Sequence, residues 1–321
     1  MFIAGMGYHH PQRRVTNEDL VRRMDTSDEW IRERTGIRER RYADDGVDTS
    51  DLGVLATTKA LDDVGWDPAE IELLICATST PDCLVPSTAS YICNKLQLPS
   101  VALDVNAACS GFVYGLAVAR GLMETSGFGR VALCTAEKYS RVVDPTDRRN
   151  AIFWGDSAAT VMLQRDPPPV GAELVDVVLK NVNEGADLAK VPIRGYVAVE
   201  GNAVKPIADK GFMDSATDIL ERNRLSTADL RAFMGHQVNL RVLESLADTL
   251  GVNGRHWHNV ETLGNQGAAG VVTTFCAGVE RHAGELEDGD LFLLTVFGAG
   301  FTSGSALLRW VDRRERPGEA G

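Results

Sequence analysis

Short runs rich in Val, Ile and Leu, each of strand length, alternate with helical stretches from one end of this chain to the other. The runs cover residues 73–77, 101–105, 131–135, 159–163, 174–179, 232–235, 291–297 and 306–310. Several lack polar residues at alternate positions, the pattern of strands buried on both faces. Between them, residues 51–64, 87–96, 110–124, 239–250 and 268–282 read as helices. Strands alternating with helices predict an α/β fold. At 321 residues the chain has room for about two domains, or two halves of one large domain. The clearest break is Arg165-Asp166-Pro167-Pro168-Pro169, almost at the midpoint. Residues 1–165 and 166–321 are therefore expected to form two halves, each with a similar series of strands and helices. The charged tail from Asp312 to Gly321 is expected to fray.

The chain carries 33 basic and 45 acidic residues, a net charge of −12. Such a field repels phosphate at long range and argues against general nucleic-acid binding, while leaving room for a local basic site. No run approaches the roughly 18 consecutive apolar residues of a membrane span. The first residues lack the apolar region of a signal peptide, so a cytoplasmic location is expected, with no membrane partner. Cys76, Cys83, Cys93, Cys109, Cys134 and Cys276 form no C-x-x-C pair, and most sit in apolar runs. They read as reduced, buried thiols. His256-Trp257-His258 has no suitable third ligand nearby and reads as a strand beginning at the surface, so no metal is expected. His9-His10 reads as surface.

Four segments could carry chemistry. In Asp104-Val105-Asn106-Ala107-Ala108-Cys109-Ser110-Gly111-Phe112 a buried strand ends and a helix begins near Ser110. From Val105 to Met123 the only charged residue is Arg120, which predicts a helix central to the core. Cys109 stands at its N-terminus, where free N–H groups and the helix dipole stabilise a thiolate and lower its pKa. It is either a nucleophile or a buried structural cysteine. His236 follows a buried strand and either points into a cleft or is a satisfied core histidine. Asn265, in Leu263-Gly264-Asn265-Gln266-Gly267, either serves the site or caps the next helix. Phe297-Gly298-Ala299-Gly300 suits a turn whose N–H groups face a ligand, or a plain tight turn.

A Cys, a His and an Asn, each at a loop beside a core element, together with ordered blocks along the chain, make a larger pattern. The blocks are D-T-S-D-E-W-I-x-x-R-T-G-I-R-E-R from Asp25, A-A-C-S-G-F from Ala107 and D-P-T-D-R from Asp144. They continue with G-H-Q-x-N-L-R from Gly235, G-N-x-x-A-A from Gly264 and the ending F-G-x-G-F-T-x-G-S-A-L. From Phe2 to Trp310 the chain resembles β-ketoacyl-acyl-carrier-protein synthase III, the initiating condensing enzyme of the thiolase superfamily. The resemblance implies a five-layered αβαβα sandwich of two similar halves, normally a homodimer. It implies that Cys109 takes an acyl group from acyl-coenzyme A, a substrate, with no permanently bound cofactor. His236 and Asn265 would then bind the thioester carbonyl of a malonyl group on a carrier protein. Decarboxylation gives an enolate that attacks the acyl-cysteine. The oxyanion at Cys109 would be held by its own N–H and one near Ala299, with Phe297 shielding the malonyl carboxylate. Trp30, Arg34 and Arg148 match positions that hold the adenine of coenzyme A; Asn202 matches one near the pantetheine arm.

The sequence departs from the family at several places. Asp248 and Thr249 stand where lysines are frequent, although Arg241 is kept for carrier-protein docking. Gln266-Gly267 replaces a usual Thr-Ser pair, and Arg149 follows Arg148 where a small residue is common. Tyr139 and Trp154 fall near positions that shape the acyl pocket, and Val85 falls where a larger aromatic gate can stand. These changes leave the trio intact and open the acceptor. The alternative to condensation is transfer of the acyl group to a non-carbon acceptor. Arg32, Arg38, Arg40 and Arg41 read as a basic, solvated face.

Overall fold

The computed structural model describes residues 1–314. The chain runs through β1 (Phe2–His9), β2 (Arg14–Thr16), α1 (Asn17–Val21), α2 (Asp28–Thr35), β3 (Glu39–Arg41), α3 (Thr49–Val64), β4 (Leu73–Ala77), α4 (Thr88–Leu96) and β5 (Val101–Val105). It continues through α5 (Gly111–Ser126), β6 (Arg130–Glu137), β7 (Ser157–Gln164), β8 (Val170–Asn181), β9 (Ala189–Lys190), β10 (Ala198–Val199) and α6 (Gly201–Arg222). The last elements are β11 (Leu230–Gly235), α7 (Leu240–Leu250), α8 (Val260–Leu263), α9 (Ala269–His282), β12 (Leu291–Gly298) and β13 (Thr302–Asp312).

Nine strands hydrogen-bond in the order β11-β12-β13-β8-β1-β7-β6-β4-β5. The order β1-β7-β6-β4-β5 in the first part is echoed by β8-β13-β12-β11 in the second. Beyond β11, His256 makes a single parallel bridge to Phe233, in the place that β5 takes beside β4. The two series meet where Phe2 pairs with Glu173 and Ile3 with Ala172. β4 runs parallel to β5 and β6, and β11 parallel to β12.

Period-2 alternation sorts the strand residues into layers. Leu73 and Ile75 of β4 face the central core, while Leu74 and Cys76 face α3 and α4. β12 divides likewise, with Phe292, Leu294 and Val296 central and Leu293 under α6 and α7. The central layer is α5 and α9, through Phe112, Val113, Leu116 and Met123 on one and Val271, Val272 and Phe275 on the other. Each large side chain buried there contributes about 1.5–3 kcal/mol. The layers are thus helix, sheet, helix, sheet, helix. α2 and the segment 139–154 pack into a separate cluster through Ile31, Tyr139, Ile152 and Trp154.

Every strand and helix read from the sequence is present, within a few residues, except at His256-Trp257-His258, which is half buried and makes only a single bridge instead of a surface strand. β1 was not read, because Gly5 and Gly7 interrupt its apolar pattern; a Cβ at Gly7 would stand 2.4 Å from the Ala60 nitrogen on α3. α6 was also missed, since Pro206 lies inside it. Three surface expectations are corrected. His9 and His10 are half buried, with His10 Nδ1 3.1 Å from Ser157 Oγ. Cys83 is half exposed, its thiol 3.0 Å from the Val85 carbonyl. Asp312 closes β13 and its N–H donates to Asp288; residues 315–321 of the expected tail lie outside the described residues.

The basic run is the largest correction. Arg40 is fully buried and donates to the carbonyl of Ile152 at 2.6 Å and to Asn17 Oδ1 at 2.8 Å. Arg38 pairs with Glu261 at 3.1 Å and Arg32 with Asp28 at 3.1 Å. Arg40 is therefore a buttress rather than part of a solvated face. Arg40→Ala should cost about 3 kcal/mol, because it strands buried acceptors. Arg38→Ala, at an exposed pair, should cost about 0.2–1 kcal/mol. Urea unfolding of the two variants checks this; equal midpoints would contradict it.

Candidate active site

The site gathers at the C-terminal ends of β4, β5, β6, β11 and β12, the crevice side of a parallel arrangement. Cys109 lies in a single 3-10 turn, residues Ala108–Ser110, directly before α5. Ala108 has φ of +48°, a left-handed conformation that a non-glycine residue holds only where its surroundings enforce it. Three close approaches bring the other segments in. A Cβ on Gly111 would stand 3.0 Å from Ala268 Cβ, so the starts of α5 and α9 touch. One on Gly298 would stand 2.9 Å from the Cys109 nitrogen, which places the 298–300 turn against the nucleophile's turn. One on Gly270 would stand 3.0 Å from Gln237 Cβ, which sets α9 against the turn of His236.

Asn265 is fixed from both sides. Its N–H donates to the Phe153 carbonyl at 2.7 Å, and its own carbonyl accepts from Gly155 at 2.9 Å. Its side-chain Oδ1 accepts from Gly267 N–H at 3.0 Å, which commits the carbonyl end of the amide and leaves Nδ2 as a donor. It does not cap α9. The Gln266 departure is also explained. Gln266 is fully buried, donates to Asn259 Oδ1 at 2.8 Å and accepts from Thr273 at 2.9 Å. Asn259 N–H in turn donates to Gln237 Oε1 at 3.1 Å, so a buried network ties the turn of His236 to the turn of Asn265. Sequence reasoning missed this network, because its members are polar residues scattered over four segments.

Burial sets the electrostatics. His236 is buried, and loss of water pushes its pKa down to about 4, so the ring is neutral at pH 7. Its Nδ1 is buried without a hydrogen-bond partner. Glu137, at the end of β6, was also missed. It is fully buried and accepts from Thr80 Oγ1 at 2.7 Å, from Ser79 N–H at 3.1 Å and from Ala268 N–H at 3.4 Å. Burial pushes its carboxyl up to about 7. The expected lowering of the Cys109 pKa is reversed. Burial first and the Glu137 charge second push the thiol up to about 12. Cys109 precedes the regular helix and is shielded from water, so desolvation outweighs the helix dipole.

Phe297 is nearly buried and stacks on Phe301 with centroids 5.2 Å apart; Ala299 follows at a partly exposed bend. Tyr139 and Trp154 are buried and stacked at 4.1 Å. Val85 is not brought to the site of its own chain. Its side chain is 82% exposed on the loop between β4 and α4, which turns outward. At the surface, the guanidinium carbons of Arg34 and Arg148 lie 4.7 and 4.4 Å from the Trp30 ring centroid. Arg148 also donates to the Asp25 carbonyl at 2.8 Å. Asn202 is exposed in the first turn of α6, which crosses over Phe297 at Gly211. Arg241 donates to the carbonyl of Glu33 on α2 at 3.2 Å and to Glu244 at 3.0 Å. No group of three His, Cys, Asp or Glu side chains suited to a metal occurs among the described residues.

The raised thiol pKa has a direct readout. Iodoacetamide alkylation of Cys109, followed by peptide mass, should climb about tenfold per pH unit from neutral to at least about pH 10. A plateau near pH 8 would restore a thiolate stabilised by the helix start.

Residues 103–182 match the family model for 3-oxoacyl-[acyl-carrier-protein] synthase III, and residues 220–310 match the model for its C-terminal part. The chain is 38% identical to β-ketoacyl-[acyl-carrier-protein] synthase III 3 of Streptomyces coelicolor, over 96% of each chain. The fold superposes on the 3-oxoacyl-(acyl carrier protein) synthase III of Pseudomonas aeruginosa PAO1 with a TM-score of 0.90 at 34% identity, covering 96% of this chain and 98% of that one. A priming β-ketosynthase from the R1128 polyketide pathway superposes with a TM-score of 0.86 at 30% identity, covering 96% and 95%. With the thiolase-like layers, the ordered motifs and these likenesses in agreement, the chain belongs to the β-ketoacyl-acyl-carrier-protein synthase III family.

Proposed function

We propose that this protein primes a carbon chain by acyl transfer to Cys109 followed by decarboxylative Claisen condensation with a malonyl thioester. Residues 1–165 supply the nucleophile and residues 166–321 the His and Asn. The donor is acyl-coenzyme A, with its adenine between Trp30 and the guanidinium of Arg34 or Arg148. Stacking and cation–π attraction supply the affinity there. Asn202 lies along the pantetheine arm.

In the first half-reaction the Cys109 sulfur attacks the thioester carbonyl. The oxyanion is received by the N–H groups of Cys109 and Ala299, and the thiol proton leaves with coenzyme A. A thiol resting near pKa 12 keeps Cys109 itself uncharged before the donor binds, so activation accompanies the transfer. In the second half-reaction the malonyl thioester oxygen sits between His236 and Asn265 Nδ2. Loss of carbon dioxide places negative charge on that oxygen; the enolate carbon attacks the acyl-cysteine carbonyl, the acyl–sulfur bond breaks, and the departing Cys109 thiolate takes up a proton from water. Phe297 keeps water from the departing carboxylate.

The observation that carries this reading is a pair of neutral donors in a buried site: a ring held uncharged at pH 7 and an amide turned to present its N–H end. Neutral, preorganised donors gain most strength as charge develops on their acceptor. A non-carbon acceptor is the second reading. It is favoured by α7, where Arg241 is tied to α2 while Asp248 and Thr249 are exposed, leaving little free positive charge for an acidic carrier protein. A second copy of the chain is expected at the free edge of β5, where Val101 is 54% exposed. No helix among the described residues is long and apolar enough to cross a membrane.

His236→Ala and Asn265→Ala should still take the acyl group, while malonyl decarboxylation falls about 10²–10³-fold in each. Intact mass reports the first step and carbon dioxide release the second. Full decarboxylation by Asn265→Ala would remove the enolate pair. Wild-type protein that is acylated but releases no carbon dioxide from any malonyl thioester would favour the second reading.

A further inference from the structure

Tyr139 and Trp154 do more than line a wall. The two rings are parallel to within 19°, and both are buried. Neither is free to swing. A Cβ at Gly267 would stand 2.5 Å from Tyr139 Cε2, so the ring rests directly on the turn of Asn265. Trp154 pairs with Asn265 through a backbone bridge. This explains why a glycine replaces the family's usual serine: Tyr139 takes the room of a side chain. The phenol faces the Cys109 thiol and the Ser79 hydroxyl. Beside it the indole Nε1 of Trp154 is buried with no hydrogen-bond partner, while the phenol and the Ser79 hydroxyl lie against each other. A buried indole N–H without an acceptor is costly unless a ligand supplies one.

The neighbouring charges are already committed. Glu137 lies against the same Gly267 position as Tyr139, with Oε1 3.0 Å from the Cβ site there. Lys138 turns away to the carbonyls of Asp44 and Val47, and Arg141 to those of Thr80 and Pro81. A carboxylate on the acyl group would meet Glu137 without a compensating cation.

We propose that Tyr139, Trp154 and Ser79 make the acyl pocket short and hydrogen-bonding, so that Cys109 takes a small acyl group bearing an uncharged oxygen, a hydroxyl or keto group, in preference to a plain alkyl chain. This rests on the reading of Cys109 as the acyl acceptor. The step is a thioester exchange. The Cys109 sulfur–carbonyl bond forms, the carbonyl–sulfur bond of the coenzyme A thioester breaks, and the thiol proton ends on coenzyme A. Tyr139 also touches the Cys109 thiol, so the effect on the acyl chain is read as a ratio of loading rates between donors, from which any change in the exchange itself cancels.

The test is loading of the intact enzyme, followed by mass, with acetyl-, butyryl-, hexanoyl- and β-hydroxybutyryl-coenzyme A. Wild-type protein should load β-hydroxybutyryl about tenfold faster than butyryl, the scale of a retained hydrogen bond. Hexanoyl should not load. Tyr139→Phe keeps the bulk and should erase much of the hydroxyl preference, as should Ser79→Ala or Trp154→Phe. Tyr139→Leu should admit hexanoyl. Wild-type protein that loads butyryl as fast as β-hydroxybutyryl, or hexanoyl as fast as acetyl, overturns the proposal while leaving Cys109 as acceptor. Failure of every donor to load overturns both, and thereby separates the two failures.

Discussion

The contact between the starts of α5 and α9 is the constraint on which the rest of this structure depends. Gly111 and Ala268 meet with no room for a larger side chain, and most of the apolar length of each helix packs in the central layer. Two nearly apolar helices can be sandwiched between sheets only if both faces of each find partners. Once they are, their N-terminal turns converge at the same end of the sheets. Cys109 stands before one helix and Asn265 before the other. The site is therefore a by-product of core packing, placed as rigidly as the core itself.

Burial on this scale decides the chemistry available. Water that would solvate a thiolate, an imidazolium or a carboxylate is excluded, so each group shifts toward its neutral form: the thiol and Glu137 upward, His236 downward. A site of neutral donors is poorly suited to binding a preformed ion and well suited to meeting charge that appears during reaction. The network through Gln237, Asn259, Gln266 and Thr273 maintains this arrangement. Every shared proton in it fixes a turn that carries His236 or Asn265, and none of it needs a charge.

The surface part of the site has a different physical basis. Trp30 and its two guanidinia stand on α2 and on the segment after β6. The same segment carries Tyr139 and Trp154 inward, in one apolar cluster with Ile31 and Ile152. Buried Arg40 holds that cluster to the loop at Asn265, through the Ile152 carbonyl and contact with Gly264. Exterior recognition and interior chemistry are thus mechanically continuous over a few residues.

What the sequence determined by itself was the alternation of elements, the central apolar helix and the identities of the residues at its mouth. Hydrophobic period and run length are local properties, so Val101–Val105 or Ala269–His282 can be read without knowing their neighbours. Ordered motifs carried the Cys, His and Asn in the same way. The strand β1 escaped because its glycines answer to Val64 and Ala60 on α3, and Arg40 escaped because its partners Asn17 and Ile152 lie 23 and 112 residues away. The ionisation of Cys109 was read with the wrong sign for the same reason. A helix start is visible in sequence, but the exclusion of water and the approach of Glu137 are not. The exposure of Val85 was not legible either, because the direction of its loop is set by what flanks it. Only the tertiary structure decides these matters, since desolvation, close approach and hydrogen-bond satisfaction are properties of atoms brought together from distant segments.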